Sequence, residues 1–131
     1  MDNHKMVMIV DDDNDDIEFF CEALIEIDPS VQYMTAISGD DALNKLRNTD
    51  IVLPHFIFLD LNMPRMNGKQ LLKELKKDYI LKDIPAIIFS TSSTPKDVEE
   101  TKALGAAHFL TKPSNFKKLC NDIYFILKEL G

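Results

Sequence analysis

The chain has 131 residues, 45% hydrophobic and 28% charged, the size and composition of one globular domain that buries its own core without disulfides or a structural metal. It shows neither an apolar run of bilayer-spanning length nor a signal-peptide pattern, so a cytoplasmic protein with no membrane partner is expected. Its net charge of −7 is split between −11 in residues 1 to 64 and +4 in residues 65 to 131, which disfavours nucleic acid, bound mainly through Lys and Arg, and suggests a cation for the acidic half.

In chain order, Lys5 to Val10 is a short apolar run that stops abruptly at acids, and Asn14 to Asp28 then spaces Ile17, Phe20, Leu24 and Ile27 as one helical face. Strand followed by helix is expected, with Asp13 or Asn14 as the N-cap. Val31 to Ile37 reads as a second strand and Asp40 to Asn48 as a second helix, with Ala42, Leu43 and Leu46 inward. Phe56 to Leu59 is wholly apolar, as a strand buried on both faces should be. Asp60 follows it directly, and the polar turn Asn62 to Gly68 leads into a helix carrying Leu71, Leu72 and Leu75.

Pro85 to Phe89 predicts a fourth strand, with the hydroxyl-rich Ser90 to Thr94 after it; Thr94 is the expected N-cap of a helix beginning at Pro95 and stopped by Gly105. His108 to Leu110 predicts a fifth strand, and a last helix from about Asn115 places Phe116, Leu119, Ile123, Leu127 and Leu130 on one face. Five strands alternating with five helices predict an α/β doubly wound fold, a parallel sheet with helices on both faces and right-handed crossovers. One domain uses all the residues, and no output domain is expected.

The chemistry-bearing residues share one edge. Asp11 and Asp12, Asp60, Ser90 and Thr91, and Lys112 each stand just past the carboxyl end of a predicted strand, where open α/β sheets form their binding crevice. Carboxylates brought that close repel one another unless a cation compensates, and oxygen-only ligands favour a hard one such as Mg²⁺ (or Mn²⁺). Asp12 and Asp60 are the expected direct ligands, with Asp11 acting through water. Asp60, alone after a stiff strand, best suits a nucleophile toward phosphorus; Lys112 would neutralise phosphoryl charge, and Ser90 or Thr91 would hydrogen-bond a phosphoryl oxygen.

Taken singly, each feature has a blander explanation. The acids from Asp11 to Asp16 suit a solvated helix start, Ser90 to Thr94 suits a helix-entry loop, and Phe109 suits a core position. Cys21 and Cys120 lack any CxxC spacing, and His4, His55 and His108 lack ligand pairing, so packing or surface roles are expected for all five. The coincidence of acids, hydroxyls and an ammonium at four strand ends favours a site.

These residues resemble the receiver domains of two-component response regulators over nearly the whole chain. Val10-Asp11-Asp12 is similar to the family's acidic pair, Leu59-Asp60-Leu61-Asn62-Met63-Pro64 with Gly68 to its phosphoacceptor strand and turn, Ser90 to its switch hydroxyl, and Lys112-Pro113 to its lysine and following proline. The resemblance implies a flavodoxin-like (βα)5 fold with strand order 2-1-3-4-5. It implies a single-domain regulator whose Asp60 takes a phosphoryl group from a sensor histidine kinase or histidine phosphotransfer protein, catalysing only its own phosphorylation and dephosphorylation. It implies that the Asn62 main-chain carbonyl completes the metal ligands, that the peptide before Pro113 is cis, and that Ser90 is coupled to Phe109. The face of the fourth helix, fifth strand and fifth helix would then recruit a downstream protein or a second copy, giving a homodimer. Ser90 and Phe109 stand where the family more often has threonine and tyrosine, and the segment from Asn48 to His55 is longer than usual.

Three other functions compete. A haloacid-dehalogenase-like phosphatase also uses a strand-end Asp with Mg²⁺, but its second Asp would fall at Asn62, and no cap domain is present. A flavodoxin-like nucleotide or flavin module would cradle phosphate after the first strand, where this chain is acidic. A degenerate receiver used as a scaffold would not need the intact acids, acceptor and lysine.

Overall fold

The computed structural model describes residues 5–48 and 50–130. Its elements run β1 (Met6–Val10), α1 (Asn14–Ile27), β2 (Gln32–Ala36), α2 (Gly39–Leu46), β3 (Phe56–Leu59), α3 (Gly68–Lys77), β4 (Ala86–Ser90), α4 (Pro95–Ala103), β5 (His108–Thr111) and α5 (Phe116–Leu130). All strand pairs are parallel, and the order is β2-β1-β3-β4-β5. This is the expected flavodoxin-like architecture: β3 and β4, in the middle of the sheet, are buried at every residue.

Alternation along the strands sends side chains to two separate cores. One unites Val7, Ile9, Phe56, Phe58, Ile87 and Phe89 with α1 and α5. Phe20 of α1 anchors it, its ring 4.8 Å from that of Phe58 and 5.4 Å from that of Phe89. The other unites Met8, Val10, Ile57, Leu59 and Ile88 with Ala42, Leu43 and Leu46 of α2 and Leu71, Leu72 and Leu75 of α3. Cys21 and Cys120 are free thiols in the first core.

The helix starts follow local chemistry. Asp13 caps α1 by accepting from the Asp15 and Asp16 amides, Thr94 caps α4, and Asn67 forms a reciprocal capping box with Gln70 on α3. Helix α5 departs from the expected face. Its buried residues are Leu119, Cys120, Ile123 and Ile126, whereas Phe116 and Leu130 are exposed. The stripe is turned toward α1, and Phe116 closes only its edge, against Phe19.

The long segment before β3 is tied down at its end. The His55 amide donates to the Met6 carbonyl, and His55 Nδ1 accepts from the Met6 amide at 3.0 Å. That pairing sets the start of β3 beside β1 and gives His55 a structural role. Beyond α4, Gly105 adopts φ 103°. Gly105→Ala is expected to lower stability by about 1–2 kcal/mol, the cost of a left-handed residue carrying a Cβ. A urea midpoint that falls with the slope unchanged checks this.

Candidate functional site

Three strands deliver the carboxylates and the lysine. The Asp11 amide donates to the Ala36 carbonyl and the Asp60 amide to the Val10 carbonyl, each at 3.0 Å, so the residues just past β1 and β3 continue the sheet's bonding. Asp11 is 1% exposed and Asp60 6%, while Asp12 is on the surface. One carboxylate oxygen from each of Asp11, Asp12 and Asp60 lies within 4.8 Å of the others. The Lys112 amide donates to the Ser90 carbonyl at 2.8 Å, which fixes the chain where its side chain turns inward.

The Lys112 ammonium donates to Asp11 Oδ2 at 2.7 Å and to Asp16 Oδ2 at 2.8 Å, and stands 3.7 Å from Asp60 Oδ2. Burial pushes both the Asp11 and Asp60 carboxyls above their ordinary range. Lys112 opposes that rise at both, whereas repulsion from Asp12 adds to it at Asp60. For Lys112, burial favours the neutral amine, but the bonds to Asp11 and Asp16 outweigh it and leave its pKa raised. The centre is therefore rich in buried negative charge that one ammonium only partly offsets. Its donors are all hard oxygens, the set that suits a small divalent cation.

Gly68 lets the turn that follows Asp60 close. A Cβ there would lie 2.3 Å from the Asp60 carbonyl oxygen and 2.7 Å from Leu61 Cα, and the Gly68 amide donates to the Leu61 carbonyl. The only positive φ among described residues other than glycine is at Arg65, within this same turn.

Ser90 is the last residue of β4 rather than the first beyond it, and it is wholly buried. Its hydroxyl accepts from the Ser92 amide at 3.3 Å. Ser90 pairs with Thr111 and Ile88 with Phe109, so Ser90 and Phe109 belong to the same face of the sheet. Phe109 is half-buried beside a cavity of about 350 Å³ lined also by Val98, Thr101, Lys102 and Ala106. Thr91 is exposed.

One expectation fails. No described peptide bond is cis, so Lys112–Pro113 is trans. The trans form is favoured by about 0.5–1 kcal/mol before any proline, and here it already lets Lys112 reach its acids.

Two features escaped the sequence reading. Asp16 has the composition of a helix-start acid, yet it is a direct partner of Lys112; its signal was its place in the first turn of α1, since helical side chains lean toward the N-terminus. Lys69 of α3 reaches Asp97 and Glu100 of α4. No spacing rule joins those positions.

The comparisons agree with this geometry. The profile of the response regulator receiver domain matches residues 7–124. Protein PilG of Pseudomonas aeruginosa is 32% identical over 117 residues, 89% of this chain and 83% of PilG. A protein-glutamate methylesterase/protein-glutamine glutaminase of Clostridium acetobutylicum is 40% identical over 109 residues, 82% of this chain, but the chain spans only 30% of that protein. Among solved structures, the phosphorylated cyanobacterial phytochrome response regulator RcpA superposes with a TM-score of 0.87 at 31% identity, covering 96% of this chain and 93% of RcpA. The Mn²⁺-bound form of response regulator Rcp1 gives 0.82 at 28% identity, covering 93% and 91%. No helix among the described residues is long and apolar enough to cross a membrane. With its fold, its acidic centre and a profile match over most of its length, the chain belongs to the receiver domains of two-component response regulators.

Proposed function

We infer that this receiver is a phosphorylation switch in which Asp60 is the phosphoacceptor. The observation that carries the reading is the setting of Asp60: a buried carboxylate at the end of a rigid strand, with Asp11 and Asp12 on one side and the Lys112 ammonium 3.7 Å away. Asp12 and Asp60, with the Asn62 main-chain carbonyl, would hold Mg²⁺ or Mn²⁺, and Asp11, whose two oxygens already accept from the Asp13 amide and from Lys112, would act through water. A bound divalent cation would neutralise charge on the transferred phosphoryl group.

An Asp60 carboxylate oxygen forms the new bond to phosphorus as the bond to the donor's leaving group breaks, and the leaving group departs with the electron pair. Lys112 follows the developing charge; its ammonium needs to move only from Asp16 toward Asp60. Ser90, on the adjacent strand, donates its hydroxyl to a phosphoryl oxygen, and the vacated space admits the Phe109 ring. Hydrolysis by water reverses the switch, and the receiver's own residues catalyse both its phosphorylation and its dephosphorylation. The donor is a sensor histidine kinase or a histidine phosphotransfer protein. The altered face of α4, β5 and α5 meets a downstream protein or a second copy.

Acetyl phosphate with Mg²⁺ is expected to give one labile phosphoryl adduct in intact mass, absent without Mg²⁺ and absent from Asp60→Asn. An adduct that persists on Asp60→Asn would move the acceptor elsewhere.

A further inference from the structure

Helix α4 is held unlike its neighbours. Thr101 is its only buried residue, and Thr101 spends its hydroxyl inside the helix, donating to the Asp97 and Val98 carbonyls. The cavity beside Val98 and Phe109 leaves its inner side loosely packed. Apolar burial therefore contributes little to where α4 sits, and polar ties are left to place it.

Those ties converge on one lysine. Lys69 Nζ donates to Asp97 Oδ1 at 2.7 Å and to Glu100, joining the first turn of α3 to α4. Its ammonium holds both carboxyls below their usual range. The other oxygen of Asp97 accepts from the Ser92 hydroxyl at 3.1 Å, and the Asp97 amide donates to the Thr94 hydroxyl. The Ser92 amide in turn donates to Ser90 Oγ. An unbroken path of hydrogen bonds thus runs from Lys69 through Asp97 and Ser92 to the buried hydroxyl of Ser90.

We propose that Lys69 is a positioning residue that, through Asp97 and Ser92, holds α4 and the Ser90 hydroxyl in the unphosphorylated arrangement. The proposal rests on the phosphoacceptor reading of Asp60. For the Ser90 hydroxyl to turn from the Ser92 amide to a phosphoryl group, the loop that follows β4 must move with it, and that movement strains or breaks the Ser92–Asp97 bond. Lys69, fixed on α3, resists it. Partly exposed ion pairs are individually weak, so the expected bias is a few-fold rather than an all-or-none lock.

The test uses the full chain as wild type, Lys69→Met and Lys69→Arg. Phosphorylation by acetyl phosphate with Mg²⁺ is followed over a range of donor concentrations. Backbone amide exchange over residues 96–103 is read without donor. Lys69→Met is expected to raise the maximal phosphorylation rate about two- to fivefold at an unchanged half-saturating donor concentration, and to speed exchange in α4. Lys69→Arg, which keeps the charge, should return both toward wild type. Faster exchange with a wild-type phosphorylation rate would make Lys69 a structural tie only and overturn the proposal, as would a slower rate or no change in either. Absence of an adduct on the wild type would instead overturn the Asp60 reading, and this proposal with it.

Discussion

Lys112→Met is expected to destabilise the metal-free protein by about 3–5 kcal/mol at neutral pH, the usual cost of removing one partner from a buried charge pair. Among the described residues Lys112 is the one cation paired with Asp11 and with Asp60, and both carboxylates are almost wholly buried. The side chain of Met fills much the same space, so the loss is electrostatic rather than a cavity. The sign with pH follows from the direction of the shifts. Both carboxyls titrate above the ordinary 3.8 in the fold, so the folded state holds its protons longer than the unfolded chain. Their contribution is fully present below the unfolded value and is lost as pH rises through the folded ones. Removing Lys112 raises those folded values further. Urea midpoints with a chelator present should therefore show the variant close to wild type near pH 4 and far below it at pH 7. Adding Mg²⁺ at pH 7 should recover part of the loss, because an ion held by acids that only the fold brings together would stabilise the folded state. A deficit of the same size at every pH would mean that packing, not charge, is what Lys112 supplies.

Gly68→Ala is expected to lower stability by about 1–3 kcal/mol, the scale of overpacking. Two effects oppose each other here. Alanine is the better helix former by about 1 kcal/mol, and Gly68 is the first residue of α3. Against that, its Cβ would sit 2.3 Å from a backbone oxygen and 2.7 Å from a backbone carbon, neither of which a rotamer change can move. The steric term should win. Because the atoms that must shift belong to Asp60 and Leu61, divalent-ion affinity is expected to fall about tenfold as well. Thermal melting with a chelator reads the first effect, and calorimetric titration with Mg²⁺ reads the second. A melting temperature at or above that of wild type would show that the turn relaxes without cost.

The elements most legible in the sequence were those with the least ambiguous physics. Phe56–Leu59 is too short and too apolar to be anything but a central strand, and Thr94-Pro95 with Gly105 marks both ends of a helix whose interior has little hydrophobic pattern. Less legible was the inward face of α5, whose apolar residues surround too much of the helix for spacing alone to choose a side. Packing against α1 made that choice, burying Cys120 and Ile126 and leaving Phe116 and Leu130 exposed.

For the site, local sequence determined which chemical groups stand at the strand ends: abrupt transitions from apolar run to Asp at Val10-Asp11 and Leu59-Asp60, the hydroxyl that closes β4 at Ser90, and the lysine that follows β5 at Lys112. Strand polarity then requires these groups to share one edge, which is why the acidic centre could be anticipated. Tertiary structure alone decided how the charges pair. Asp16 and Lys112 are 96 residues apart and Lys69 and Asp97 28 apart; the first pair meets only because α1 packs where β5 ends, and the second only because α3 and α4 are laid against the same finished sheet. An ion pair between long side chains leaves no period in the sequence. Its partners become neighbours through packing of the apolar residues on other faces of the same elements.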